Sequence, residues 1–222
     1  MRAPTNKIVS EVNMSIFYRF VRFFVWLPVK GLIRFRAKGR ENIPKSGGFV
    51  LCCNHTSIID IAILVLTCPR GINFMAKEEL FKNPLLGWFF RRMGAFPIVR
   101  GSGDSAAIDK AIDIVKRGDV LGIFPEGTRT KELDGHPCKA KAGAAMIAAA
   151  TGAPVLPSAI HYDKYDGKVH LFKRSYVRYG ELISSSELNI ENNDRKQIRA
   201  ATERIMGSIT ALWEEETDWK SN

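Results

Sequence analysis

From about Gly47 to the end of the chain, short apolar runs bounded by turn residues alternate with longer segments in which apolar positions recur at helical spacing. "GGFVLCC", "INFMA", "GAFPIV", "VLGIFP", "APVLPSAI" and "GKVHLF" read as strands, and "SIIDIAILVLT", "SAAIDKAIDIVKRG", "KAGAAMIAAATG" and "RKQIRAATERIMGSITALWEE" as helices. Strand and helix in alternation predict an α/β domain with a mostly parallel central sheet flanked by helices. Ligands in such folds bind just past the carboxyl ends of the strands. Four of the predicted strands lead toward polar groups at that edge: Asn54-His55-Thr56-Ser57, Arg100-Gly101-Ser102-Gly103, Pro125-Glu126-Gly127-Thr128-Arg129, and Pro157-Ser158 running on to His161.

The seam "CCNHTSIID" carries the most chemistry. A helix capped by Thr56 or Ser57 would hold Asp60 in its first turns, facing back to the loop, where the carboxylate accepts a hydrogen bond from one imidazole nitrogen of His55. The other nitrogen then remains an acceptor, as a general base near neutral pH requires. A plain capping box, Ser57-Ile-Ile-Asp60, accounts for the carboxylate equally well. With no G-x-S-x-G nucleophile elbow in the chain, the attacking group belongs to a substrate. Cys52 and Cys53 lie on alternate faces of a strand, so at least one of them is core. The spacing of Cys53, His55, His136 and Cys138 does not match a zinc site, and no metal is expected.

Arg100 and Arg129 follow strands at the ligand-facing edge and together suit a phosphate, which guanidinium groups bind in bidentate fashion. The loop Gly101-Ser102-Gly103-Asp104 adds backbone N–H donors or simply caps a helix. Glu126 repels phosphate, so it is expected to accept a substrate hydroxyl or to brace Arg129, with Pro125 and Gly127 shaping the turn. Lys77 in "FMAKEEL" is placed to stabilise an oxyanion or is a surface lysine.

Charge then changes the picture. Thirty-three Lys and Arg against 23 Asp and Glu leave a net charge of +10, which suits an anionic partner or surface. Four cysteines without a disulfide-scaffold spacing fit a reducing compartment. At 222 residues and 45% hydrophobic the chain holds one sizeable core. Its N-terminal part interleaves Phe17, Phe20, Phe23, Phe24, Trp26 and Leu27 with Arg19, Arg22, Lys30 and Arg34, and its longest uncharged stretch, Phe23 to Val29, is too short to span a bilayer. Residues 1–38 are therefore expected to be a membrane-interfacial helical segment, with residues 39–222 as the catalytic domain. Packing on the domain's own core, or stacking on single-stranded nucleic acid, would use the same composition. In "ELFKNPLLGWFFRRMG", Leu85, Leu86, Trp88, Phe89 and Phe90 beside Arg91 and Arg92 suggest a second membrane contact, an acyl-chain groove wall, or a buried core helix.

The quartet "NHTSIID", "GAFPIVR", "FPEGTR" and "VLP" resembles the four blocks of the glycerolipid acyltransferases, and most closely the lysophosphatidate (1-acyl-sn-glycerol-3-phosphate) acyltransferases, over roughly Gly39 to Ser184. The resemblance implies that His55 is the base and Asp60 its orienting partner. It implies that Arg100, Glu126 and Arg129 bind the glycerol-phosphate acceptor and that Pro157 shapes the pocket; Gly127 and Thr128 of the same turn, and Lys77 from its own strand end, are expected to join them in binding the substrates. It further implies transfer of a fatty acyl group from an acyl-CoA or acyl carrier protein thioester to the free sn-2 hydroxyl of lysophosphatidate, giving phosphatidate. No cofactor is expected, since a thioester is already reactive, and no nucleic acid partner. The expected location is the cytoplasmic face of the cell membrane, peripheral or monotopic, against an anionic surface. Another lysophospholipid or glycerol 3-phosphate as acceptor, or hydrolysis of the thioester by water, would use the same residues.

Overall fold

In the computed structural model, residues 16–99, 105–191 and 194–215 are described. Seven strands form one sheet: β1 (Phe35–Lys38), β2 (Phe49–Cys53), β3 (Ile72–Lys77), β4 (Phe96–Ile98), β5 (Val120–Ile123), β6 (Val155–Tyr162) and β7 (Ser175–Tyr179). Their order is β1-β7-β6-β2-β5-β3-β4, and every neighbouring pair is parallel except β6 and β7. The helices are α1 (Ile16–Ile33), α2 (Ile59–Thr67), α3 (Pro84–Arg92), α4 (Ser105–Lys116), α5 (Gly143–Thr151), α6 (Ser185–Leu188) and α7 (Arg195–Glu214). This is the expected α/β class with a mostly parallel sheet.

The alternation of side chains along the central strands divides the core in two. Val50 and Cys52 of β2 point to the face covered by α4, α5 and α7, with Ile114, Ile147 and Ile205. Phe49, Leu51 and Cys53 point to the opposite face, with Ile63 and Leu64 of α2 and Tyr18 of α1. All five residues of β2 are buried, which is why the strand reads as an unbroken apolar run rather than an alternating one. Just before it, Gly48 lets the chain pass under α4: a Cβ there would come within 1.9 Å of the Val115 carbonyl oxygen.

Two elements depart from the sequence reading. "GKVHLF" does not form a strand; Gly167 and Phe172 both take left-handed backbone conformations, and the stretch contributes only an isolated bridge between Tyr165 and Val169. The sheet continues instead through β7, fully buried although it includes Arg178. The other is β1, within the N-terminal segment, which pairs along its whole length with β7. Its inner and outer residues alternate in burial, and the Arg and Lys that face outward conceal it as a strand.

Candidate active site

Parallel strands bring the loops after β2, β5 and β6 to one edge, and the backbone there is tied together by side chains. Asn54 prolongs the β2–β6 ladder, its Nδ2 donating to the Ile160 carbonyl at 2.9 Å while its Oδ1 accepts from the Ile160 N–H at 2.7 Å. The Thr130 N–H donates to the His55 carbonyl at 2.7 Å. In the preceding peptide, the His55 N–H donates to Glu126 Oε2 at 2.8 Å.

Asp60 is fully buried in the first turn of α2. Its Oδ2 accepts from the Thr56 N–H at 2.7 Å and the Ser57 N–H at 2.8 Å, which anchors the carboxylate to the helix start. The same oxygen lies 2.9 Å from His55 Nδ1. A carboxylate carries no hydrogen to give, so Nδ1 is the donor and Nε2, on the far side of the ring, is left as the acceptor. One side chain thus makes both the helix-start contacts and the contact to the imidazole, although the reciprocal capping box does not close, since the Ser57 hydroxyl accepts from the Ile59 N–H and not from that of Asp60. Its other oxygen, Oδ1, accepts from the Thr56 hydroxyl at 3.2 Å and from the Tyr162 hydroxyl. Burial, with the Asp60 charge beside it, holds the Tyr162 phenol well above its usual range, so it stays protonated and donates.

The imidazole stacks on Phe124, ring centroids 4.0 Å apart at 18°, and lines two apolar cavities. One, of about 600 Å³, lies between α1, α2 and α3 and includes Val25, Ile61, Phe74 and Phe89 among its walls, with Arg22, Lys77, Thr128 and Arg129 as its polar members. The other, of about 430 Å³, lies toward α4 and α5 and is lined by Ile108, Ala144 and Ile147, with Lys141 and Gly127 beside His55. Gly127 has φ +72°, in a turn closed by its N–H to the Phe124 carbonyl, and a Cβ there would meet the Lys141 side chain at 3.0 Å.

The other sequence candidates fall into place unevenly. Arg129 and Thr128 join His55 on the wall of the larger cavity. Lys77 does too, half exposed and paired with Glu79 at 2.8 Å. Arg100 and the Gly101–Asp104 loop lie outside the described residues. Pro157 sits opposite Cys52 in the ladder and packs toward Gly180 rather than lining either His55 cavity. Glu126 is buried, and both of its oxygens are engaged by backbone, His55 N–H at one and Cys138 N–H at 2.9 Å at the other. It therefore ties the His55 backbone to the Cys138 loop, in contrast to the substrate acceptor or Arg129 brace expected of it. Burial pushes its carboxyl up, against the opposing pull of those two N–H groups. Cys52 and Cys53 are both fully buried and burial raises both thiols, which disfavours a thiolate at either. Phe124, Lys141 and Tyr162 escaped the sequence reading. For Tyr162 the period of β6, which puts Leu156, Ile160 and Tyr162 on one face, was the available signal.

Residues 34–161 match the protein family described as Acyltransferase. The chain is 37% identical over 176 residues to the 1-acyl-sn-glycerol-3-phosphate acyltransferase of Bacillus subtilis (strain 168), covering 78% of this chain and 85% of that protein. Against the enzyme of the same name from Streptococcus pneumoniae the identity is 29%, over 100% of this chain and 82% of that one. Among solved structures, the 1-acyl-sn-glycerophosphate (LPA) acyltransferase PlsC from Thermotoga maritima superposes with a TM-score of 0.65 at 26% identity, covering 93% of this chain and 79% of that chain.

Proposed function

Because the chain belongs to the acyltransferase family and is an O-acyltransferase, we propose that it transfers a fatty acyl group from a CoA or acyl carrier protein thioester to the free hydroxyl of 1-acyl-sn-glycerol 3-phosphate. The observation that carries the reading is the His55–Asp60 pair opening onto a cavity whose polar wall is cationic. His55 Nε2 takes the hydroxyl proton as that oxygen attacks the thioester carbonyl. Collapse of the tetrahedral intermediate breaks the C–S bond and expels the thiolate, which the imidazolium reprotonates. Arg129 and Lys77 are positioned to hold the acceptor's phosphate, so that the hydroxyl stays near the base. The apolar remainder of the two cavities suits acyl chains.

The test supplies a labelled acyl thioester with and without lysophosphatidate. Labelled phosphatidate is expected only when the acceptor is present; release of free fatty acid at the same rate without it would identify a hydrolase instead. Arg129→Ala is expected to raise the acceptor KM by ~10–100-fold, the range for losing hydrogen bonds to a charged group, with little change in the thioester KM.

The same reading places the enzyme on a membrane surface. Phe20, Phe23, Phe24 and Leu27 of α1 are exposed, as are Leu85, Leu86 and Trp88 of α3, and the two helices meet through Phe17 against Trp88 and Phe89. Arg19, Lys30, Arg91 and Arg92 lie on these helices. Among the described residues no helix is long and apolar enough to cross a membrane. Aromatics entering the acyl boundary with basic residues at the headgroups fit an interfacial seat. The inner side of α3 meanwhile supplies Phe89 and Phe90 to the His55 cavity, so this helix is a groove wall rather than core. Sedimentation with anionic vesicles should exceed that with neutral ones and weaken with salt; Phe20, Phe23 and Phe24 all changed to Ser should abolish it. Undiminished sedimentation of that triple variant would remove α1 from the proposed contact.

A further inference from the structure

The β6 strand delivers to the dyad a group that the reaction scheme above does not use. Its register with β2, prolonged by the Asn54 amide on Ile160, carries Tyr162 past the end of β2 on the face that packs against α2. There its hydroxyl donates to Asp60 Oδ1.

We propose that Tyr162 is a positioning residue for acyl transfer, acting on His55 through Asp60. The inference rests on His55 being the base. The Thr56 and Ser57 N–H groups and His55 Nδ1 all converge on Oδ2, so the second oxygen, Oδ1, has to be held as well if the carboxylate is not to rock about that one anchored atom. The Thr56 hydroxyl, at 3.2 Å, is a long contact from a rotatable group on the same turn. Tyr162 comes from a different element, is buried, and swings with the sheet rather than with α2. It therefore fixes Oδ2 against Nδ1, and so fixes the direction of Nε2. A neutral O–H does this without cancelling the carboxylate charge that faces the imidazolium, which a lysine in its place would do.

Tyr162→Phe keeps the ring and removes the hydroxyl. We expect kcat to fall ~10–100-fold, as for one hydrogen bond to a charged group, with the KM of thioester and lysophosphatidate unchanged within about twofold. Tyr179→Phe is the matched control: it deletes another buried hydroxyl, bonded to Thr67 Oγ1 at 2.7 Å at the far end of α2, and should leave kcat as it was. In an Asp60→Asn background, Tyr162→Phe should cause little further loss, since residues acting as one unit do not add. A folded Tyr162→Phe enzyme with wild-type kcat, a loss matched by Tyr179→Phe, or a full-size loss that persists beside Asp60→Asn would each overturn the proposal. Retention of full activity by His55→Ala would overturn the base assignment beneath it, a result that the Tyr162 variants alone cannot produce.

Discussion

His55→Ala should lower kcat for transfer from acyl thioester to lysophosphatidate by ~10²–10⁴, the usual worth of a positioned general base, while leaving a folded protein. The fold survives because the contacts that hold this residue are made by its backbone. Its N–H is held by Glu126 and its carbonyl by the Thr130 N–H, and alanine keeps both. What alanine loses is the ring, with its Nδ1 hydrogen bond to Asp60 and its stack on Phe124, and the wall that the imidazole contributes to the two cavities; Asp60 Oδ2 keeps the Thr56 and Ser57 N–H groups. Removal of that wall leaves a polar-edged space which water can enter, so the stability loss should stay near ~1–2 kcal/mol. The assay is initial rate at saturating concentrations of both substrates, with a thermal melt of the same preparation. If the melted and rate-assayed variant is folded and retains more than about a tenth of the wild-type kcat, His55 is not the base and the chemistry must lie elsewhere on the cavity walls.

The dyad could be read from sequence because its two members are separated by one turn of loop and one turn of helix, within reach of local rules. The strand ending at Cys53 and the helix restarting at Ile59 confine His55 and Asp60 to one corner wherever the rest of the chain goes. Arg129 and Thr128 were likewise legible, since a turn after a parallel strand has to emerge at the ligand edge. Glu126 was misjudged for a reason of range. Its partners, the N–H groups of His55 and Cys138, are backbone atoms, and no residue type in the sequence reveals that a backbone N–H will need an acceptor. Tyr162 required knowing which way β6 faces where it passes α2, and that follows from the β2–β6 register, a long-range quantity. Pro157 shows the reverse error. Its place in a strand leading to the edge was correct, but the parity of the strand sends it toward Gly180 and α7, away from the imidazole. The edge strand β1 and its neighbour β7 were hidden by their charges: Arg36 and Lys38 are the exposed positions of β1, and Arg178 interrupts a run in β7 that is nonetheless buried.

Asp60→Asn should cost ~10–10³-fold in kcat at almost unchanged stability, and the local hydrogen bonds say why the two readouts separate. Two backbone N–H groups, of Thr56 and Ser57, point at the Oδ2 position, so the asparagine carbonyl oxygen has to occupy it. From there it still accepts from His55 Nδ1, and the imidazole keeps its tautomer. The asparagine NH₂ falls at the Oδ1 position, where the Tyr162 and Thr56 hydroxyls can each turn to accept. The geometry is thereby preserved while the negative charge is lost, and with it the stabilisation of the imidazolium that forms as the hydroxyl attacks. Asp60→Ala removes both. It strands the Thr56 and Ser57 N–H groups and the Tyr162 hydroxyl without an acceptor in a fully buried place, which should lower unfolding free energy by ~3–5 kcal/mol and bring kcat close to that of His55→Ala. The pair of variants decides between the two roles that Asp60 combines. Were the carboxylate only the cap of α2, Asp60→Asn would turn over at the wild-type rate and Asp60→Ala would lose stability alone, whereas a base that needs its counter-charge is slowed by the first substitution before any stability is lost.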